Sequence, residues 1–172
     1  MGTLNAFYVR GIGASTVTAV REKFPQAEIE SGPDFVGVTL ADDLAAPPVD
    51  VLLKLSSALG TDVIWLSFQS VVDAFEFHHW RAGQALRVLI YGCYKEQGLW
   101  ENIAGTPEPW EREAFFPPRA LTRPWLGTAE EKRERERIWR EAELLPGRAQ
   151  PSIDARESAR KAAEHYGFPG WS

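Results

Sequence analysis

The sequence predicts an α+β fold built on a mostly antiparallel sheet, with helices at its C-terminal end. Three observations predict it. Short runs of aromatic and β-branched residues alternate with two stretches of helical periodicity over residues 1–69. Strand-like sequence is then nearly continuous from Asp62 to Tyr94, broken only by turn signals. From Ala129 onward the composition shifts to charged helical sequence.

The elements follow in order. Asn5 to Arg10 (NAFYVR) is a strand, because aromatic and β-branched side chains fit a pleated surface. Gly11-Ile12-Gly13-Ala14 turns the chain. Ser15 caps a helix to Phe24, with Val17, Val20 and Phe24 on one face, and Pro25 ends it. Ala27 to Glu30 and Phe35 to Leu40 are strands joined by the turn Ser31-Gly32-Pro33-Asp34. Pro47-Pro48 opens a second helix with Leu52, Leu55 and Leu59 as its stripe and Gly60 as its stop. A third long strand begins at Asp62. The resulting β-α-β-β-α-β order is that of ferredoxin-like folds.

The meander continues through Val72 to Trp80 and Gln84 to Cys93, with a tight turn at Ala82-Gly83. The span 62–80 is too long for one strand and predicts a bend or bulge between Ser67 and Val71. Leu99 to Ile103 reads as a last or edge strand, 105–109 as a loop, and Phe115 to Pro124, with three prolines, as irregular chain on the surface. Ala129 to Glu143 is a charged helix with i,i+4 pairs Glu131–Arg135 and Glu136–Arg140. Asp154 to Tyr166 is another, with an Asp154…Glu157 capping spacing and Ala155, Ala159, Ala162 and Tyr166 on one stripe. Gly167 stops it ahead of an aromatic tail, Phe168, Pro169 and Trp171. Residues 1–124 are expected to form the sheet domain, covered by helices on one face, and 125–172 a helical extension packed on its rim.

A chain of 172 residues with 44% hydrophobic side chains buries one real core. Its net charge of −5 opposes phosphate backbones and anionic lipid. One cysteine, Cys93, excludes an internal disulfide framework and suits a reducing, cytoplasmic setting. No basic-then-apolar leader opens the sequence, and no apolar run is long enough to span a bilayer.

The residues able to do chemistry gather in 62–94. In a strand, Glu76 and His78 share one face while His79 points the other way. Glu-x-His supplies two metal ligands or an acid/base couple, and His165 is the candidate third ligand if its helix folds over the sheet. The competing reading is a structural ion pair, because a turn at Ala82-Gly83 sets His78 opposite Arg87 and Glu76 diagonal to it. Asp73 is either a general base or a carboxylate at a strand bend. Cys93 lacks a nucleophile's signature. Trp100, Trp110, Phe116 and Trp125 form either an exposed recognition surface or the seam that glues the helical tail to the sheet.

Phe7-Tyr8-Val9-Arg10-Gly11-Ile12 resembles the first-strand motif of RNA-recognition-motif domains. Gly32, Phe35 and Val36 match part of that family's second motif. The resemblance implies an aromatic sheet face that stacks bases. It covers a third of the chain, lacks the second motif's basic residue and two aromatics, and sits in a segment with four basic against seven acidic side chains. The sequence is therefore read as a non-catalytic binding or regulatory module that acts through a protein partner, with no cofactor. The alternatives are a metal-assisted hydrolase on the Asp73/Glu76/His78 face and an RNA binder.

Overall fold

The computed structural model describes residues 2–11, 13–41, 46–148 and 153–171. Ile12 and two of the seven acidic residues counted above, Asp42 and Asp43, lie outside the described residues. The elements run β1 (Thr3–Arg10), α1 (Ala14–Lys23), β2 (Glu28–Ser31), β3 (Phe35–Thr39), α2 (Val49–Leu59), β4 (Asp62–Gln69), β5 (Ala74–Arg81), β6 (Gln84–Tyr91) and β7 (Leu99–Gly105). After β7 come α3 (Pro109–Phe115), a 3-10 turn (Pro118–Thr122), α4 (Ala129–Glu141), the two-residue β8 (Gly147–Arg148) and α5 (Ala155–Tyr166). The strands form one sheet in the order β2-β3-β1-β4-β5-β6-β7-β8, and every pairing is antiparallel. The α+β class with an open antiparallel sheet is as expected.

Local chemistry explains the element ends. Gly60 adopts φ 62, and the N–H groups of Gly60 and Thr61 return to Ser57 and Ser56 carbonyls, which closes α2. Ala82 and Gly83 have φ 47 and 80, the paired positive angles that suit a two-residue hairpin. Thr128 and Glu131 make a reciprocal cap on α4, and Asp154 accepts from the Glu157 N–H on α5. The long span from Asp62 breaks at residues 70–73 as a full turn, not as a bulge within one strand. Helix α1 starts at Ala14 after Gly13, so Ser15 lies inside its first turn rather than at the cap.

Two apolar clusters sit on opposite faces of the sheet. Phe7, Val9, Val36, Val38, Val63, Trp65 and Trp80 pack with Val20 of α1 and Leu52 and Leu55 of α2. Tyr8, Phe35, Ile64, Phe75, Phe77, Leu89 and Tyr91 pack with Trp110, Trp139, Ala159 and Ala162 of α3, α4 and α5. Helices therefore cover both faces, which corrects the one-sided expectation. Instead of lying on the rim, α5 crosses the second face over β4 and β5. Its alanine stripe lets the backbone approach closely, and this second cluster joins residues from both 1–124 and 125–172.

The tail after α5 continues this cover. Phe168 stacks flat on Tyr8 at 3.8 Å and meets Phe35 edge-on at 5.0 Å, and Trp171 donates to the Tyr8 hydroxyl at 2.8 Å. The two rings that resemble base-stacking positions, Tyr8 and Phe35, are thus already engaged.

Candidate functional site

Strand β5 sends side chains to both faces and creates two polar centres. Glu76, His78 and Trp80 point towards the α2 side; Phe75, Phe77 and His79 point towards α3 and α5.

The first centre is a clamp around His79. Its Nε2 donates to Asp62 Oδ1 at 2.7 Å and its Nδ1 to Glu108 Oε1 at 2.6 Å. Both partners are carboxylates, so both ring nitrogens carry protons. Burial opposes the charge, but the bonds His79 donates to Glu108 and Asp62 outweigh it and hold its pKa above the ordinary value. Burial likewise opposes ionisation of Asp62 and Glu108. Hydrogen bonds from His79 to both, and from Arg81 to Asp62 and Tyr166 to Glu108, overcome it and lower both pKa values. Arg10 and Arg81 donate to Asp62, while Tyr166 and Trp110 donate to Glu108 Oε2. Every member has its partners and neither ring nitrogen is open, so the clamp is a structural link between β4, β5, α3 and α5.

A buried pair extends it. Arg87 of β6 grips Glu111 of α3 in two bonds, 2.8 and 2.6 Å. This corrects the expected register. A bulge between His79 and Trp80 sets Arg87 opposite His79 and Val88 opposite His78. Arg87 therefore faces away from Glu76 and pairs on the other side of the sheet.

The second centre is a cavity of about 120 Å³ on the α2 side. Its walls include Asn5, Trp65, Ser67, Glu76, Cys93 and Tyr94. Glu76 is buried and held from two sides: His78 Nε2 donates to Oε1 at 2.6 Å and the Tyr94 hydroxyl to Oε2 at 2.8 Å. His78 is fixed in turn by stacking on Trp80, ring centroids 5.2 Å apart. Burial, then the negative charge of Glu76 and Glu101, pushes the Cys93 thiol up to about 12. Burial and the bond to Glu76 raise Tyr94 as well. Both groups stay protonated, as donors rather than nucleophiles. Trp65 is 1% exposed, and its indole N–H has no hydrogen-bond partner among the described residues. A buried donor left unpaired costs about 1–3 kcal/mol.

The predicted residues divide accordingly. Glu76 and His78 do meet, but Asp73 sits at φ 51 in the exposed β4–β5 turn and does not line the cavity. His165 is exposed on α5, across the sheet from Glu76 and His78. Among the described residues no group of three His, Cys, Asp or Glu side chains is arranged to hold a metal ion. Trp100, Trp110 and Phe116 are 2, 4 and 4% exposed and pack in the cluster that joins the sheet to α3, α4 and α5. Only Trp125 of that set reaches solvent. Sequence reasoning missed Trp65 and Tyr94 at the cavity, and Asp62, Glu108 and Glu111 in the buried network. The signal for the last two was Glu108-Pro109-Trp110-Glu111, a capping box with proline at the first helical position.

Compared with known protein families, with curated proteins and with solved structures, the chain matches none. Among the described residues no helix is long and apolar enough to cross a membrane.

Proposed function

We propose that the protein is a non-catalytic binding module that takes a small polar ligand in the Glu76 cavity. The buried carboxyl group of Glu76, held by His78 and Tyr94 in the wall of a cavity that Trp65 and Cys93 also line, carries this reading. The protonated states of Cys93 and Tyr94 favour binding over group transfer. The test is a thermal-shift screen of small polar molecules, since a ligand that binds only the folded chain raises its melting temperature by mass action. A ligand that stabilises the native chain and loses its effect in Tyr94→Phe and Trp65→Phe supports the reading. A panel that stabilises all three chains equally, or none, overturns it.

A protein partner is a second reading, favoured by one observation. Leu121, Trp125 and Leu126 lie exposed ahead of α4, with Leu126 97% exposed. Capture of the same partner by native chain and by Trp125→Ala/Leu126→Ser would remove it. The strand order β2-β3-β1-β4, with α1 and α2 on one face, supports a ferredoxin-like reading of residues 3–69. A cytoplasmic setting is proposed from the free thiol of Cys93.

A further inference from the structure

We infer that the exposed side of α4, with residues 117–127 ahead of it, docks an acidic peptide segment of a partner protein, one that also carries large apolar side chains. The inference rests on the second reading above, a protein partner at this face, and is independent of the Glu76 cavity. Shape comes first. A groove of about 960 Å³ runs beside α4, with Trp125 and Ile138 as its apolar residues. Leu126, next in the chain, stands almost wholly in solvent, and Leu121 is exposed one turn earlier. Trp125 is held in place: the Arg135 guanidinium lies over its ring at 5.2 Å, and its indole N–H donates to the Thr128 carbonyl at 3.0 Å. An aromatic anchor fixed before binding loses little freedom when a partner arrives.

Charge names the partner. Arg133, Arg135, Arg137 and Arg140 line the groove against Glu130, Glu131 and Glu134. Two of the three glutamates are already occupied. Thr128 donates to Glu131 through its N–H and its hydroxyl, and Arg137 grips Glu134 in two bonds. Among the described residues, the side chains of Arg133 and Arg140 have no hydrogen bond or ion pair. Residues 117–127 add Arg119 and Arg123 and hold no acidic residue. In a chain of net charge −5 this face is positive, so a complementary surface is acidic.

The interleaved glutamates decide between a peptide and a phosphate polymer. An evenly charged phosphate backbone running along α4 would meet Glu130 and Glu134 as well as the arginines. A peptide places its carboxylates selectively. Arg133 and Arg140 are two helical turns apart, about 10 Å along the axis at about 1.5 Å per residue. Acidic side chains three residues apart in an extended segment, at about 3.3 Å per residue, match that spacing. Apolar side chains between or beside them then meet Trp125 and Leu126.

The experiment selects a displayed library of random dodecapeptides against the full native chain, then measures the selected peptides on Arg133→Glu/Arg140→Glu and on Leu126→Ser. All three positions are exposed, and thermal melts confirm that the variants fold. The expected peptides combine Asp or Glu with Leu, Phe or Trp. They should bind each variant about tenfold more weakly, a loss of about 1.4 kcal/mol. Selected peptides without an acidic excess, or ones that bind the charge-reversed chain equally, overturn the acidic class while the docking face stands. If no peptide is enriched, or if binding ignores both variants, the inference and the partner reading at this face both fall. Binding of single-stranded RNA or phosphatidylserine vesicles that is lost in the charge-reversed chain, with no peptide selected, gives the face to phosphate and overturns the inference. A dimer in sedimentation that disappears in Leu126→Ser gives it to a second copy and also overturns it.

Discussion

Arg87→Met removes the guanidinium that faces Glu111. The change keeps much of the side-chain volume and takes away four bonds: two to the Glu111 carboxylate, and one each to the Gly105 and Ala104 carbonyls at 2.9 and 3.3 Å. Glu111 is then a carboxylate 4% exposed that keeps, among the described residues, only the Glu108 N–H as donor. The charge of Glu108 also presses on it. Breaking a buried pair from one side costs about 3–5 kcal/mol. For a chain of this size that is a fall in melting temperature of about 6–20 °C, at about 2–4 °C per kcal/mol. Arg87→Met/Glu111→Leu removes the stranded charge as well. It should lose only about 1–2 kcal/mol, chiefly the α3 cap. Acid adds a second signature. Burial, partly offset by Arg87, already holds the Glu111 pKa above its ordinary 4.5. The folded state thus binds that proton more tightly than the unfolded chain. Stability at this group is fully present below pH 4.5 and declines as pH rises through the folded value. Without Arg87 the pKa rises further, so the single variant should recover towards wild type near pH 5. Urea unfolding followed by tryptophan fluorescence at pH 7.5 and 5 reads all of this. A single variant that loses under about 1 kcal/mol, or a double variant as damaged as the single, refutes the reasoning.

The His79 clamp predicts a pH window. The raised pKa of His79 gives stability that is complete below its ordinary 6.5 and is lost as pH rises through the folded value. The lowered values of Asp62 and Glu108 give stability present above 3.8 and 4.5 and lost as pH falls through their folded values. The stability gap between wild type and His79→Gln should therefore be widest between pH 4.5 and 6.5 and shrink in alkali. A gap flat from pH 5 to 10 in parallel thermal melts would count against the clamp. Gly105→Ala should cost about 3 kcal/mol or more in urea melts, because an added Cβ would lie 1.9 Å from the Leu86 carbonyl oxygen at φ +85. Trp100→Ala should cost about 3–5 kcal/mol, as a side chain wedged against Tyr91 and Phe115 at 5.1 Å each. Near-native stability would return it to the surface reading.

The order of strands is legible as far as local signals reach. Ala82-Gly83 announces its hairpin, and Gly60 announces the end of α2. The small-residue stripe of α5 is also plain, but a stripe does not say which surface receives it. Helix α3 stays hidden because seven residues are too few for periodicity to show. With it go Glu108 and Glu111, and so the buried network. His79 looks solitary in sequence since its carboxylates lie 17 and 29 positions away. A single-residue bulge moves Arg87 to the far face, a slip that flips every side chain and leaves no trace in sequence. At the cavity the Glu-x-His pair is visible. Trp65 reads as core, which it is, and nothing in its type says that the indole nitrogen would go unpaired.

One consequence follows from α5 lying across β4 and β5. All eight described strands precede it in the chain. A ribosome working from the N-terminus therefore delivers the sheet together with α3 and α4 before α5 and its tail, which dry the part of the second face over β1, β3 and β4. During that interval Tyr8, Phe35 and Ile64 form a wet apolar wall. Such a nascent sheet invites association with other chains until the last helix arrives. The α1/α2 face closes much earlier, because its helices are interleaved with the first four strands. The molecule thus has an early half and a late half, separated not along the chain but through the thickness of one sheet.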